Sequence, residues 1–264
     1  MKYTVCLLII FCLSCAKQPY ASSNKLYKHQ AKGFADIIRQ YPLKDSFGIS
    51  EFVGTTNFNL RKPNFVIIHH TAQNSCAQTL TTFTTQSTQV SAHYIICKDG
   101  TIHHMLNDYM RAWQAGVSRW GNDLDINSSS IGIELDNNGF EPFTDAQISS
   151  LLHLLSALKK QYNIPAANFI GHADIAPTRK NDPNIFFPWK MLADSGYGYW
   201  YDDTTNVILP SSFNAVQALR IIGYDVRDTS ATIKAFKRHW LQDTAQGLDT
   251  AQFKVLFQVM RKYE

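Results

Sequence analysis

The run Phe65-Val66-Ile67-Ile68-His69-His70-Thr71-Ala72 sets the reading of this chain. Its first four residues form a continuous apolar segment of strand type, and the strand ends in two adjacent histidines. Ala92-His93-Tyr94-Ile95-Ile96-Cys97 is a second such segment. Lys98-Asp99-Gly100-Thr101 joins it to Ile102–Leu106, and Asp-Gly between apolar runs marks a hairpin turn. Ser130-Ile131-Gly132-Ile133-Glu134-Leu135 alternates as a strand does, and Asn137-Asn138-Gly139 ends it. From Thr144 to Tyr162 the period changes: Ile148, Leu151, Leu152, Leu155 and Leu158 fall on one helical face. Thr144 with Gln147 forms a capping box at its start. Phe169-Ile170 is a short last strand. Strands separated by helices, with one hairpin, predict an α/β fold whose mixed β-sheet is covered by helices.

Working outward, Gly171-His172-Ala173-Asp174-Ile175-Ala176-Pro177-Thr178-Arg179-Lys180-Asn181-Asp182-Pro183 follows that last strand. One imidazole from each histidine segment plus one carboxylate supplies three zinc ligands and leaves a fourth position for water. That is the open coordination of a catalytic zinc, not the closed shell of a structural one, so the residues point to a metallohydrolase. Alternation cannot choose between His69 and His70, because neighbouring strand residues face opposite ways. His93, His103 and His104 also lie near strand ends, where a histidine is more often a hydrogen-bonded core or surface group. Asp182 precedes a proline and so could simply begin a turn. Asp174 is the rival carboxylate, with the alternative task of fixing the loop or orienting His172 from behind. Glu134 is a lone acid in an apolar strand, costly to bury unless a cation or a reaction uses it. It is either a general base or half of a salt bridge at the strand end.

Together these motifs, over roughly residues 60–195, resemble the zinc-dependent N-acetylmuramoyl-L-alanine amidases of the amidase-2 family, in its outer-membrane lipoprotein branch. The resemblance implies the amidase-2, peptidoglycan-recognition-like fold. It implies one Zn2+ per chain held by His69, His172 and Asp182, with His70 in a supporting or packing role. It makes Glu134 the general base and aims Lys180 at the developing oxyanion; otherwise Lys180 is a solvated loop residue. The implied substrate is peptidoglycan or its muropeptides, cut between the lactyl group of N-acetylmuramic acid and L-alanine. Related folds also serve as non-catalytic peptidoglycan-binding proteins, and an endopeptidase would cut the same polymer elsewhere. Gln114, in Trp113-Gln114-Ala115-Gly116, departs from the pattern, since related enzymes commonly carry histidine there.

The ends of the chain suggest its setting. Met1-Lys2-Tyr3 precedes an apolar stretch from Thr4 to Leu13, too short to span a bilayer and suited to an export signal. Ser14-Cys15 then resembles a lipobox, although Cys12 stands where leucine is usual. Residues 1–15 are expected to be a lipoprotein signal peptide, with lipid on Cys15 holding the protein to the outer membrane, facing the periplasm. The alternative is cleavage near Ala21 and a soluble periplasmic or secreted protein. Residues 16–45 read as a polar tether and lead-in with a helical patch at Gly33–Ile38, and 46–200 as the zinc amidase domain. Cys76 and Cys97 remain, as a disulfide or as two buried thiols. Turn-rich sequence near residue 200 precedes three helical segments, Phe213–Ile222, Thr229–Trp240 and Thr250–Lys262. Residues 201–264 thus form a small three-helix C-terminal domain that resembles the peptidoglycan-binding domain and is expected to dock on the rest. A net charge of +4 over 264 residues suits an anionic surface and argues against nucleic acid. A monomer is assumed.

Overall fold

The computed structural model describes residues 19–39, 57, 60 and 62–264; the export signal and Cys15 lie outside the described residues. The chain divides into one unit up to Phe58 and another from Asn59 to Glu264. In the first, helix α1 (Ala21–Ile38) is longer than the patch expected at Gly33–Ile38. Lys25, Leu26, Lys28, Gln30, Ala31 and Lys32 are good helix formers and carry it through Gly33.

The second unit is built on five strands: β1 (Phe65–His70), β2 (Tyr94–Ile96), β3 (Ile102–His104), β4 (Ser130–Leu135) and β5 (Phe169–Gly171). Their order across the sheet is β3-β2-β4-β1-β5. β2, β4, β1 and β5 run parallel, and β3 is antiparallel to β2 across the expected hairpin. Gly100 makes that turn possible, with φ at +86° and a neighbour, the Ala146 carbonyl, 2.9 Å from where a Cβ would stand. The mixed sheet covered by helices is therefore the fold that the hydrophobic pattern predicts.

Helix α2 (Cys76–Thr84) connects β1 to β2, and a disulfide between Cys76 and Cys97 fastens its first residue just beyond the end of β2. A short α3 (Ile126–Ser129) leads into β4. Helix α4 (Asp145–Tyr162) connects β4 to β5 and begins with the Thr144–Gln147 capping box. It lays Leu151, Leu155 and Leu158 on Val66, Ile68, Ile131 and Ile133 of the sheet.

The other face of the sheet is covered from the C-terminal end of the chain. After α5 (His172–Ile175) and α6 (Trp189–Asp194) come α7 (Ala215–Ile222), α8 (Thr229–Leu241) and α9 (Thr250–Arg261). Asn214, Asp228 and Asp249 cap these last three through side-chain bonds to the amides of Gln217, Ala231 and Gln252. Leu219, Phe236, Trp240 and Leu256 form one apolar cluster with Ile67 of β1 and Ile170 of β5. Each such buried side chain contributes roughly 1.5–3 kcal/mol, so α7–α9 are welded to the sheet.

Parallel strands bring their carboxyl ends to one edge, where open α/β sheets bind ligands. Here that edge carries His69 and His70 from β1, Glu134 from β4, and His172 immediately after β5. His69 and Glu134 are direct cross-strand partners and share a face.

Candidate metal and catalytic site

Two groups of side chains among the described residues could converge on a metal: His69, His172 and Asp182, and Cys76, Cys97 and His103. The second has its sulfurs joined in the disulfide. The first is buried and intact. His69 Nδ1 and His172 Nδ1 each lie 3.0 Å from Asp182 Oδ2. The two rings meet edge-on with centroids 4.5 Å apart. Between His172 and Asp182 the loop is closed by the Ala173 amide, which donates to the Asp182 carbonyl at 2.7 Å.

The outer nitrogens of the two rings fix the chemistry of the inner ones. Ser130 Oγ donates to the Ile126 carbonyl at 2.5 Å, so its lone pairs accept from Gln114 Nε2 at 2.7 Å. The Gln114 amide is thereby oriented with Oε1 toward His69, and His69 Nε2–H donates to it at 2.5 Å. His172 Nε2–H likewise donates to the Ala115 carbonyl at 3.1 Å. Both rings consequently turn Nδ1 lone pairs toward Asp182. Burial on its own would raise the Asp182 carboxyl; hydrogen bonds and positive charge from His172 and His69 hold it well below the usual carboxylate range when those rings are protonated, and a bound cation takes that place when they are not. Two lone pairs and an ionised carboxylate at 3.0 Å require a cation among them. Two imidazoles and a carboxylate are a donor set that suits zinc, and one that leaves a coordination position open. The residues fit the metal.

Glu134 stands beside this cluster, with Oε1 3.9 Å from His69 Nδ1. Among the described residues its buried Oε2 has no hydrogen-bond partner. Burial pushes its carboxyl up to about 7; His69 and Lys180 pull against that and Asp182 adds to it. A carboxyl poised there both takes and returns a proton near neutrality. Among the described residues no lysine or arginine forms a salt bridge with it. Lys180 lies on the exposed loop between His172 and Asp182, close enough for its charge to act on Glu134.

The other candidates fall elsewhere. His70 points to the opposite face and packs where Gly139 leaves room for its ring, and burial lowers its pKa. His93 is buried and doubly used, accepting from the Gly132 amide at Nδ1 and donating to the Met110 carbonyl from Nε2. His104 stacks on Tyr94 and pairs with Asp108. Asp174 makes no bond to His172; it fixes the loop by accepting from the Gly171 amide at 2.8 Å.

Gln114 and Ser130 are the residues whose part sequence reasoning missed. One signal pointed to them: Gly132, in mid-strand, where a Cβ would come within 2.6 Å of Gln114 Cγ. Asn127 Oδ1 accepts from the amides of Gln114 and Ala115, holding both outer-nitrogen acceptors in place.

A family model described as N-acetylmuramoyl-L-alanine amidase matches residues 59–185, the stretch that contains His69, Gln114, Glu134, His172, Lys180 and Asp182. The sheet is thus that of an amidase-2 domain, and the cluster lies within the matched stretch. The amidase AmiD of Escherichia coli is 32% identical over 232 residues, 75% of this chain and 82% of that protein. The 1,6-anhydro-N-acetylmuramyl-L-alanine amidase AmpD of Haemophilus influenzae is 42% identical over 108 residues, 40% of this chain and 59% of that one. The chain belongs to the N-acetylmuramoyl-L-alanine amidases of the amidase-2 family. Among solved structures, AmpDH3 of Pseudomonas aeruginosa superposes with a TM-score of 0.70 at 28% identity, covering 85% of this chain and 99% of that one. AmiD of Escherichia coli, solved with the substrate anhydro-N-acetylmuramic acid-L-Ala-D-gamma-Glu-L-Lys, gives 0.69 at 28%, covering 80% and 93%.

Proposed function

We propose that this protein is a zinc-dependent N-acetylmuramoyl-L-alanine amidase acting in peptidoglycan turnover. It hydrolyses the amide between the lactyl group of N-acetylmuramic acid and the L-alanine of the stem peptide, in peptidoglycan or in muropeptides released from it. One observation carries the metal assignment: the Ile126–Ser130–Gln114 chain leaves His69 Nδ1 as a bare lone pair facing ionised Asp182, with His172 Nδ1 doing the same. His69, His172 and Asp182 would hold a single zinc ion. Bound there, it would polarise the scissile carbonyl and lower the pKa of a water from 15.7 toward about 7.

The remaining work falls to the chain's own residues. Glu134, buried and poised near neutrality, accepts the proton from the attacking water and returns it to the departing L-alanine nitrogen. Lys180, on the loop beside it, offsets the negative charge that develops on the carbonyl oxygen. Gln114 keeps His69 in its Nε2–H form throughout, a task that an uncharged amide performs without titrating.

The setting proposed from the sequence goes with this reading: a lipid on Cys15, the outer membrane facing the periplasm, and a monomer whose C-terminal helices help hold it to the wall. The deciding experiment is mass spectrometry of a purified muropeptide digest with the intact protein, with EDTA, and after zinc is restored. Free stem peptide beginning with L-alanine, lost with EDTA and regained with zinc, is the expected result. Binding to peptidoglycan without cleavage under any condition would replace the enzyme by a receptor.

A further inference from the structure

The loop that carries His172 and Asp182 is short of internal support. Its helical part, α5, has four residues, far too few to be stable by its own hydrogen bonds. Asp174, two residues past His172, is buried and accepts three hydrogen bonds. One comes from within the loop, the Gly171 amide on Oδ2. The other two come from the C-terminal helices: His239 Nδ1 of α8 donates to Oδ2 at 2.7 Å, and the Tyr224 hydroxyl, just after α7, donates to Oδ1 at 2.8 Å.

Both donors are themselves clamped. The His239 imidazole lies between two indoles, 3.8 Å from Trp189 with planes 10° apart and 4.6 Å from Trp240 at 16°. Tyr224 meets Trp120 edge-on at 5.0 Å. A buried carboxylate with polar partners is an expensive way to join two surfaces that apolar residues could join as firmly. What it adds is direction. Three bonds at fixed angles set the place of Asp174, and with it His172 two residues back. Asp182 follows through the Ala173 amide.

We propose that His239 and Tyr224 are positioning residues for the metal site, so that helices α7 and α8 hold two of its three ligands in register through Asp174. This rests on the zinc reading above. The C-terminal helices then belong to the scaffold of the catalytic centre, whatever they do at the cell wall.

The test uses the full-length protein as wild type, Tyr224→Phe, His239→Ala and His239→Asn, whose amide can stand where Nδ1–H stood. Zinc affinity is measured by competition with a chromogenic chelator, beside thermal melting of the metal-free proteins and the absorption spectrum of the Co2+ forms. Zinc should bind about 10-fold more weakly to Tyr224→Phe and His239→Ala, with altered Co2+ bands, and His239→Asn should regain most of the affinity. Wild-type zinc affinity and Co2+ spectrum in Tyr224→Phe and His239→Ala overturn the proposal, even if both melt earlier. Should His239→Ala not fold, Tyr224→Phe, which removes one oxygen atom, decides alone. A wild-type protein that binds no zinc overturns the metal reading itself, a result distinct from wild-type affinity in the variants.

Discussion

Glu134 and Gln114 stand on either side of the His69 ring, and only the first announced itself. An acid in an otherwise apolar strand is a conspicuous expense, so Ile131-Gly132-Ile133-Glu134-Leu135 marked Glu134 as a residue with a task while leaving a general base and a salt bridge both open. Replacing Glu134 with Gln keeps the volume and removes the proton acceptor. Turnover should fall about 10²–10⁴-fold while zinc content and the melting temperature stay near wild type, as kinetics, metal analysis and calorimetry would record. Loss of metal along with activity would make Glu134 a ligand instead of a base. Gln114 was readable only as a departure from the family's histidine. Its meaning depends on Ser130 and Ile126, sixteen and twelve residues away, whose orientation no local pattern states. The choice of His69 over His70 was beyond alternation for the same reason: it needs the pairing with Glu134 across β4.

At the level of elements, those with strong internal signals were readable. The α4 capping box and the hairpin at Gly100 stand where the sequence put them, because caps and turns are specified by side chains close in sequence. The bond between Cys76 and Cys97 was not readable, since it depends on α2 crossing to the end of β2. Its Cα atoms are 5.3 Å apart over a separation of 21 residues. A closed loop of that length restricts the unfolded chain by about 3 kcal/mol. The Cys76→Ser, Cys97→Ser protein should lose about that much stability in urea unfolding and keep its activity, because His69 comes from β1 and His172 and Asp182 from the loop after β5, across β4 from Cys97. An unchanged midpoint would show that the bond constrains nothing that the fold does not already hold.

For the molecule as a whole, the segment from 201 to 264 does form three helices, close to the expected bounds. What periodicity could not give is the surface those helices cover. An amphipathic helix states that one face is buried and is silent about its partner. Here the partner is the sheet, with Ile67 and Ile170 in the same cluster as Phe236 and Trp240. Residues 62–264 are therefore expected to unfold in one transition. Far-ultraviolet circular dichroism, tryptophan fluorescence and loss of muropeptide hydrolysis should share a single midpoint in denaturant. Separate midpoints would show the C-terminal helices coming away first.

The paired histidines at the end of β1 have a last consequence. Phe65, Val66, Ile67 and Ile68 are apolar at every position, so sliding β1 by one residue would still place apolar side chains on both faces of the sheet. Greasy residues alone leave the reading frame of this strand open. The polar end closes it: only in the native frame do imidazoles fill both places, one opposite Glu134 and within reach of Gln114, the next in the space beside Gly139. The residues that serve the reaction thus also act as the strand's start codon, telling the sheet where to begin counting.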